Sequence, residues 1–261
     1  MPGIHEASAA PRCIQVREND VHQSADDVSW QEQCVQSLLS ATSEAELFAV
    51  LAKTAEQLGF QYCAYGMRMP LPLSRPKTLL LNNYSPEWKA RYTSMNYLSV
   101  DPTVSHGMSS VLPLVWADKV SPSSREFWDD ARAHGLKVGW AQSTFDARGV
   151  AGMLTLARSD DDLTAAEINA HSLRMSWLVQ AAHEGLARLI GERPAEPTLQ
   201  LTLREAEVLR WTADGKTSGE VGQIMSISER TVNFHVNNAI EKLGVANKTA
   251  AVIKAALLHL L

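Results

Sequence analysis

The chain has 261 residues, 45% of them hydrophobic and 20% charged, which is the composition of an ordinary soluble globular protein with one or two domains. No apolar run approaches the roughly 20 residues that span a bilayer, and the N-terminus lacks the basic start and apolar core of a secretory signal. We therefore expect a cytoplasmic protein without a membrane partner. The net charge of −5 is not that of a generally basic nucleic-acid-binding protein.

The first part of the chain predicts a mobile tail over residues 1–25, followed by a mixed domain over residues 26–190. Helical periodicity predicts helices at Val28–Ser40, Glu44–Leu58, Arg125–His134 and Thr164–Leu189, and short helices opened by Pro86 and by Asp101–Pro102. Short aromatic or alternating runs predict strands at Phe60–Met69, Lys77–Asn82, Val138–Phe145 and Val150–Arg158. Helices before and after one group of strands predict an α+β fold, an α/β/α sandwich around an antiparallel sheet.

Aromatic residues cluster in the middle of this domain, with one carboxylate among them. They are Tyr84, Trp88, Tyr92, Tyr97 and Trp116, with Asp101. Aromatic walls and a single carboxylate are typical of a pocket for a mostly apolar ligand with an amide-like head, in which the carboxylate accepts an N–H and an indole donates to a carbonyl. A lone buried carboxylate is costly, so we expect ligand binding to be coupled to folding.

Each of these residues also has an ordinary structural interpretation. Asp101 before Pro102 is a standard N-cap pair, and Trp88 with Tyr92 on one helical face is typical of a core. A threonine in an apolar strand, such as Thr155, usually has a satisfied hydroxyl. Trp140 either limits the volume of the pocket or fills the core.

Residues 191–200 include the polar, proline-rich stretch GERPAEPT, which predicts a linker to an all-α domain over residues 201–261. Thr202 with Glu205 has the form of a capping box, Gly215 is a suitable helix stop, and Ser228 is a suitable N-cap for a third helix. A last helix begins near Asn247 and packs either on its own domain or against a second copy of the chain.

The third helix of this domain carries two stripes. The apolar stripe is Val232, Val236, Ala239, Ile240 and Leu243. The polar stripe is Arg230, Asn233 and Asn237; arginine can bond bidentately to guanine and asparagine to adenine. A helix, a short turn and a second helix with polar N-terminal residues predict a helix-turn-helix that binds DNA, with an ordinary solvated face as the alternative.

The charge of the C-terminal part bears on how it would bind DNA. From Thr198 onward there are seven Lys and Arg against six Asp and Glu, and the rest of the chain has 17 against 23. A nearly neutral domain must contact phosphates through a few placed groups and helix N-termini. Such a monomer binds weakly, which favours a homodimer on two half-sites.

The last quarter of the chain resembles the DNA-binding domain of LuxR-type transcription regulators. The residues that carry this resemblance are Leu203, Glu205, Leu209, Gly215, Lys216, Thr217, Ile227–Ser228, Thr231–Val232, His235, Lys242 and Leu243. The resemblance implies that Lys216 and Thr217 lie near DNA phosphates and that Arg230, Asn233 and Asn237 line the major groove. The wider family often has lysine where this chain has Asn233.

Residues Glu44 to Arg158 resemble the ligand-binding domain of acyl-homoserine-lactone receptors, a LuxR-type subgroup. The resemblance is carried by Tyr84-x-x-x-Trp88-x-x-x-Tyr92, Asp101–Pro102, Trp116 and Gly139. It implies that Trp88 donates to the lactone carbonyl, Asp101 accepts the amide N–H and Tyr84 bonds the amide carbonyl. Thr155 would lie near the amide and the start of the acyl chain, and Tyr92 and Trp116 would pack around the head group. Leu79, Leu81 and Val104 are expected wall residues.

Together these resemblances imply a quorum-sensing regulator, with activation favoured over repression. It would bind an N-acyl homoserine lactone of medium chain length and then, as a homodimer, a palindromic promoter site in double-stranded DNA, with RNA polymerase as a further partner and no cofactor. The alternative is a LuxR-type regulator that responds to a different small molecule or acts without ligand.

A second alternative is an enzyme, such as a lactone or amide hydrolase with an attached DNA-binding module. The sequence disfavours it, because no G-x-S-x-G is present and His183–Glu184 lacks the second histidine of H-E-x-x-H. The cysteines Cys13, Cys34 and Cys63 form no C-x-x-C pair and are interpreted as free thiols. We therefore expect neither a catalytic site nor a metal site.

Overall fold

The computed structural model describes residues 30–116, 124–191 and 200–261. The predicted tail over residues 1–25, the first two residues of the helix predicted from Val28 and most of the predicted linker lie outside the described residues. The first domain contains α1 (residues 30–40), α2 (Glu44–Gln57), β1 (Tyr62–Arg68), β2 (Thr78–Asn82), α3 (Pro86–Ser94), α4 (Pro102–Ser109), β3 (Leu114–Trp116), α5 (Arg125–Ala133), β4 (Val138–Phe145), β5 (Ala151–Arg158) and α6 (Ala165–Gly191). A short 3₁₀ turn, Tyr97–Ser99, joins α3 to α4.

The strands form one antiparallel sheet in the order β2-β1-β5-β4-β3. The four predicted strands are confirmed, and β3 is a fifth that the sequence pattern does not indicate. Three residues are too few to show an alternating pattern. Strand β3 exists because it pairs with β4, where Trp116 lies opposite Gly139.

Helices cover both faces of the sheet, which confirms the predicted α/β/α sandwich. On one face, α1, α2 and α6 enclose the main core. On the other face, α3, the turn Tyr97–Ser99 and α5 enclose a smaller, mostly aromatic core, and α4 packs on β4 beside it. Because side chains alternate along a strand, Leu154 and Leu156 of β5 enter the main core while Thr155 between them faces the aromatic side. Trp140 is 1% exposed within the main core, so it fills that core and does not narrow a pocket.

The spacing of Thr164 and Glu167 also predicts a capping box, at the N-terminus of α6, and the structure forms only half of it. Thr164 Oγ1 accepts a hydrogen bond from the Glu167 backbone N–H at 3.2 Å, which is half of the motif. The Glu167 carboxylate instead binds the Arg158 guanidinium at 2.6 and 2.9 Å. A bidentate pair of opposite charges is stronger than a bond to one backbone N–H, so the charged partner holds this side chain.

The second domain is all-α, as predicted, and contains α7 (Leu203–Ala213), α8 (Ser218–Met225), α9 (Glu229–Leu243) and α10 (Lys248–Leu257). A complete capping box joins Thr202 and Glu205, and Glu205 also accepts from Lys242 Nζ at 2.7 Å, which ties the start of α7 to the end of α9. Ala251 and Ala255 of α10 are fully buried against α7 and α9, so α10 packs on its own domain. None of the helices in the described part of the chain combines the length and apolarity needed to cross a membrane.

Candidate ligand cavity and DNA-binding helix

A cavity of about 490 Å³ lies between the sheet and helices α3, α4 and α5. We call it the head cavity. Its volume falls within the range of small-molecule sites in proteins. All six residues proposed from the sequence line it: Tyr84, Trp88, Tyr92, Asp101, Trp116 and Thr155. Residues that span 72 positions of the chain therefore meet around one space.

The central strands form the floor of the head cavity, and most of their side chains there are small. Thr155 of β5 lies in register between Ala64 of β1 and Ala141 of β4. The next inward-facing position of β1 is Gly66. Because these residues project little from the sheet, the space above it remains open to a ligand.

Trp88 is 2% exposed and is the centre of the aromatic wall. Its ring centroid lies 5.7 Å from that of Tyr92, 5.9 Å from Tyr97 and 6.0 Å from Phe127, distances at which aromatic pairs stabilise each other. Ser85 accepts from the Trp88 backbone N–H and so fixes the first turn of α3. Trp88 is thus both a core residue and a lining residue, and the two interpretations of its sequence position do not exclude each other.

Asp101 likewise has both of the roles considered for it. It is the N-cap of α4, where Oδ1 accepts from the backbone N–H of Thr103 at 2.8 Å and from its hydroxyl at 2.7 Å. Oδ2 accepts the Tyr92 hydroxyl, at 2.9 Å. Two carboxylate oxygens offer about four lone pairs, so Oδ2 keeps one for a further donor.

The charges around Asp101 follow from its burial. Burial raises the pKa of Asp101 above its ordinary value, and the hydrogen bonds from Thr103 and Tyr92 only partly oppose this. Burial also raises the pKa of Tyr84 and of Tyr92, and the nearby Asp101 carboxylate adds to both shifts. Both phenols are therefore protonated at neutral pH and are able to donate.

Trp116 closes one end of the head cavity from the edge strand β3. Its ring centroid lies 4.9 Å from that of Trp128, and its Nε1 is buried with no hydrogen-bond partner among the described residues. A Cβ at Gly139 would overlap the Trp116 ring and the Leu156 carbonyl oxygen. Glycine is required at position 139 because the indole packs directly on the backbone there.

Some lining residues are absent from the sequence-based set. Phe127 and Trp128 of α5 line the head cavity, as do Thr103, Leu80 and Met153. Helix α5 was predicted, but nothing local to it shows that its aromatic residues meet those of α3. In the described residues there is also no group of three His, Cys, Asp or Glu side chains placed to hold a metal ion.

The expectation that Leu79 and Leu81 line the ligand cavity is wrong. Both side chains pack against the main core on the opposite face of the sheet, and Leu80 lines the head cavity instead. A shift of one residue along a strand moves a side chain to the other face. Three consecutive leucines give no alternation from which to choose the face. Val104, the third expected wall residue, lines a neighbouring cavity.

Helices α8 and α9 form a tight helix-turn-helix. Ser226 ends α8 in the left-handed conformation, with φ of 54°, and the Ile227 N–H donates to the Gly222 carbonyl at 2.9 Å. A Cβ at Gly222 would lie 2.8 Å from the Ile227 carbonyl oxygen, so the turn depends on that glycine. Ser228 caps α9 by accepting from the Thr231 N–H at 3.1 Å, as predicted.

The polar stripe of α9 faces solvent. Arg230, Asn233 and Asn237 are exposed, and within the described residues their side chains form no hydrogen bond or ion pair. Phe234 is 60% exposed on the same face. The sequence-based set omits it, although an apolar side chain on a recognition helix can contact a thymine methyl group.

Lys216 and Thr217 lie at the start of α8, and both are exposed. The Thr217 hydroxyl accepts from the Glu220 N–H at 3.3 Å and the Glu220 carboxylate accepts from the Thr217 N–H at 2.8 Å, a complete capping box. A phosphate that reached this helix start would meet Lys216 first and would compete with Glu220 for Thr217.

A cavity domain joined to a helix-turn-helix domain defines the class of ligand-controlled DNA-binding regulators. Residues 43–186 match the family described as autoinducer binding domain, and residues 199–255 match bacterial regulatory proteins of the luxR family. The chain therefore belongs to the LuxR family of quorum-sensing regulators. These regulators are not enzymes, so the hydrolase alternative is excluded.

Three similar proteins support this membership, two of them over nearly the whole chain. The transcriptional activator protein AnoR of Acinetobacter nosocomialis is 49% identical over 236 residues, which cover 89% of this chain and 99% of AnoR. SdiA of Escherichia coli, solved in complex with octanoyl-rac-glycerol, is 33% identical with a TM-score of 0.73, covering 89% of this chain and 96% of SdiA. CepR2 of Burkholderia cenocepacia, described as N-acylhomoserine lactone dependent, is 34% identical with a TM-score of 0.59, covering 64% of this chain and 99% of that structure.

Proposed function

We propose that the chain is a transcriptional activator that binds an N-acyl homoserine lactone and then, as a homodimer, a palindromic promoter site. The observation that carries the proposal is the convergence of Tyr84, Trp88, Asp101 and Thr155 on one cavity in a LuxR-family chain. The lactone dependence stated for CepR2 and the activator role stated for AnoR are in keeping with it.

The head cavity offers a donor or acceptor for each polar group of such a ligand. The remaining lone pair of Asp101 Oδ2 accepts the amide N–H, the protonated Tyr84 hydroxyl donates to the amide carbonyl, and Trp88 donates to the lactone carbonyl. Tyr92 holds Asp101 in place through its own hydroxyl. Thr155 lies beside the amide and the first carbons of the acyl chain, and Trp116 packs against the ring.

Binding is expected to stabilise the fold. The raised pKa of Asp101 means that its buried charge is disfavoured in the empty cavity, and an amide N–H would stabilise that charge. A ligand that binds only the folded state stabilises it by about 2.7 kcal/mol at one hundred times its Kd. The ligand therefore favours a folded first domain.

The C-terminal domain supplies the DNA contacts. In the proposed complex Lys216 and Thr217 contact phosphates, and Arg230, Asn233 and Asn237 enter the major groove. A homodimer would place its two α9 helices on half-sites about 34 Å apart, one turn of the duplex. A regulator that binds chromosomal DNA and recruits RNA polymerase in a bacterium acts in the cytoplasm.

A different ligand class is the second candidate. SdiA is solved with an octanoyl glycerol, whose head has hydroxyl groups and an ester in place of an amide and a lactone. In the head cavity a glycerol hydroxyl could donate to Asp101 in place of the amide N–H. We favour the lactone because of the lactone dependence stated for CepR2, and an acylglycerol is a necessary comparison in the test.

The test uses purified full-length protein with butanoyl-, octanoyl- and dodecanoyl-homoserine lactone, octanoyl glycerol and solvent alone. Thermal unfolding and occupancy of a LuxR-type palindrome are measured for each. The expected result is a higher unfolding temperature and higher occupancy with at least one lactone than with octanoyl glycerol or solvent. A protein that responds only to the glycerol, or to nothing, would contradict the proposal.

A further inference from the structure

A second cavity of about 480 Å³ adjoins the head cavity between α4 and the sheet. We call it the side cavity. The linings of both cavities include Gly66, Leu98, Asp101 and Met153, so the two spaces are neighbours across these residues. The apolar residues that line the side cavity alone include Val104, Met108 and Phe145. A ligand with its head beside Asp101 thus has a second, partly apolar space within reach.

Met153 lies at the boundary between the two cavities. It is in β5, in register with Gly66 of β1 and Ser143 of β4. Thr155, which lines only the head cavity, is two residues away on the same face of the strand, about 7 Å along it. An extended acyl chain advances about 1.3 Å per carbon, so one that starts beside Thr155 reaches Met153 after roughly five or six carbons.

Gly107 of α4 sits directly behind the Met153 side chain. A Cβ at position 107 would lie 3.0 Å from Met153 Sδ and 3.3 Å from Ser143 Cβ. The backbone of α4 therefore packs against the methionine sulfur, and any side chain at position 107 would push that sulfur aside. Methionine is unbranched with three rotatable bonds, so it adapts to such pressure or to a ligand more readily than other apolar residues do.

We infer that Met153, supported by Gly107, selects the length of the acyl chain. Chains of up to about six carbons end before Met153 and stay in the head cavity. Longer chains turn the flexible Met153 side chain away from the boundary between the cavities and continue into the side cavity. This inference rests on the proposed function, because it takes the lactone head to lie beside Asp101 and Thr155.

The test compares wild-type protein, Met153→Ala, Gly107→Ala and the double variant by thermal unfolding with the same three lactones. The quantity measured is the half-saturating concentration of the dodecanoyl lactone relative to the butanoyl lactone. Removal of the Met153 side chain should lower this ratio at least tenfold, since each additional buried methylene improves binding by about fourfold. Gly107→Ala should raise the ratio about fourfold, the equivalent of one buried methylene, because its methyl group would lie 3.0 Å from Met153 Sδ and shift that sulfur towards the head cavity.

The double variant distinguishes this mechanism from a general loss of packing. Once Met153 is alanine, the methyl group at position 107 has no sulfur to displace, so the double variant should behave like Met153→Ala and its two effects should not add. Met95→Ala is the matched control, because Met95 is 39% exposed and lines neither cavity. Its ratio should equal that of the wild-type protein.

Two outcomes would overturn the inference in different ways. If wild-type protein responds to lactones and the ratio is the same in all variants, chain-length selection by Met153 is wrong while the proposed function stands. If wild-type protein responds to no lactone, the proposed function fails and the inference with it. If Met153→Ala does not fold, the Gly107→Ala variant alone tests the inference. We expect this variant to fold, because alanine favours a helix over glycine.

Discussion

At the scale of single residues, Asp101 combines a structural and a binding role in one carboxylate. Oδ1 is used by the N-terminus of α4, and Oδ2 faces the aromatic wall through Tyr92. This division means that a substitution can keep the cap and remove the charge. Asparagine retains an oxygen for the Thr103 N–H, but at the Oδ2 position it presents an NH2 donor in place of the acceptor that a ligand N–H needs.

We predict that Asp101→Asn raises the concentration of lactone needed for half-maximal response by roughly ten- to one-hundred-fold, from the loss of a charged hydrogen bond of about 1.5–3 kcal/mol. The ligand-free variant should unfold at a temperature no lower than the wild-type protein, because a disfavoured buried charge is removed. A reporter dose response and a melting curve measure the two effects. Asp129→Asn, at an exposed pair with Arg132, is the control. An unchanged dose response would remove Asp101 from the head-group role.

A second residue-scale feature lies on the opposite face of the sheet. The Tyr65 hydroxyl and His183 Nδ1 are hydrogen bonded at 2.9 Å, and Asp146 Oδ2 lies 3.8 Å from His183 Nε2, too far for a hydrogen bond. Burial lowers the pKa of His183 below 6.5, and the carboxylates of Asp146 and Glu184 oppose this only in part. The nearby Arg148 adds to the lowering.

The sign of the resulting pH dependence follows from this shift. A histidine with a lowered folded-state pKa stabilises the fold fully above pH 6.5, and that contribution is lost as the pH falls through its folded pKa. We predict that the unfolding temperature of wild-type protein falls more steeply below pH 6.5 than that of His183→Asn, which cannot take up the proton. Melting curves from pH 7.5 to 5 test this, and parallel curves would contradict it.

At the scale of elements, we expect the start of α8 to contact DNA phosphates and α9 to contact bases. We predict that Arg230→Ala costs about 1–3 kcal/mol of affinity and relaxes the preference at one base position. Lys216→Ala should weaken binding to all sequences alike and reduce the slope of log affinity against log salt by about one for each phosphate that is no longer neutralised. Titrations of a palindrome and its point variants at several salt concentrations measure both.

The matched control for these variants is Arg204→Ala. Arg204 is an exposed arginine of α7 whose guanidinium pairs with Glu207, outside both helices of the turn. Its removal should change neither the base preference nor the salt slope by a comparable amount. If Arg230→Ala changes only the salt slope, Arg230 contacts a phosphate and not a base.

Elements whose ends are fixed by local chemistry could be predicted from the sequence. Ser228 and Thr202 accept from N–H groups three residues on, and Gly59 ends α2 with φ of 86°, so the sequence places these boundaries within a residue or two. Strand β3 has no such local signal because it is defined by its partner β4, and the expected face of Leu79 is wrong because only the neighbouring strands decide that face.

The residues of the candidate site also divide into those that a local sequence pattern indicates and those that it does not. Tyr84, Trp88, Tyr92 and Asp101 share a local pattern and a family resemblance, and all four line the head cavity. Phe127 and Trp128 have no comparable signal. Their approach to Trp88 depends on how α5 packs against the sheet, and no local sequence pattern predicts that packing. Met153 is likewise indistinguishable in sequence from an ordinary strand residue.

At the scale of the whole molecule, the C-terminal domain is nearly neutral, so we expect a single copy of it to bind DNA weakly. We predict that lactone converts the protein from monomer to dimer and that half-maximal DNA binding tracks the dimer concentration, since two half-sites double the contacts. Sedimentation at several protein concentrations, with and without lactone, checks this. A lactone-bound protein that occupies the palindrome as a monomer would contradict the prediction.

Three of the seven tryptophans, Trp88, Trp116 and Trp128, surround the head cavity. The emission of an indole shifts to shorter wavelength when water beside it is replaced by hydrocarbon. The chain therefore contains its own optical reporter, and its fluorescence spectrum should reveal whether the cavity is filled, without a label or a promoter.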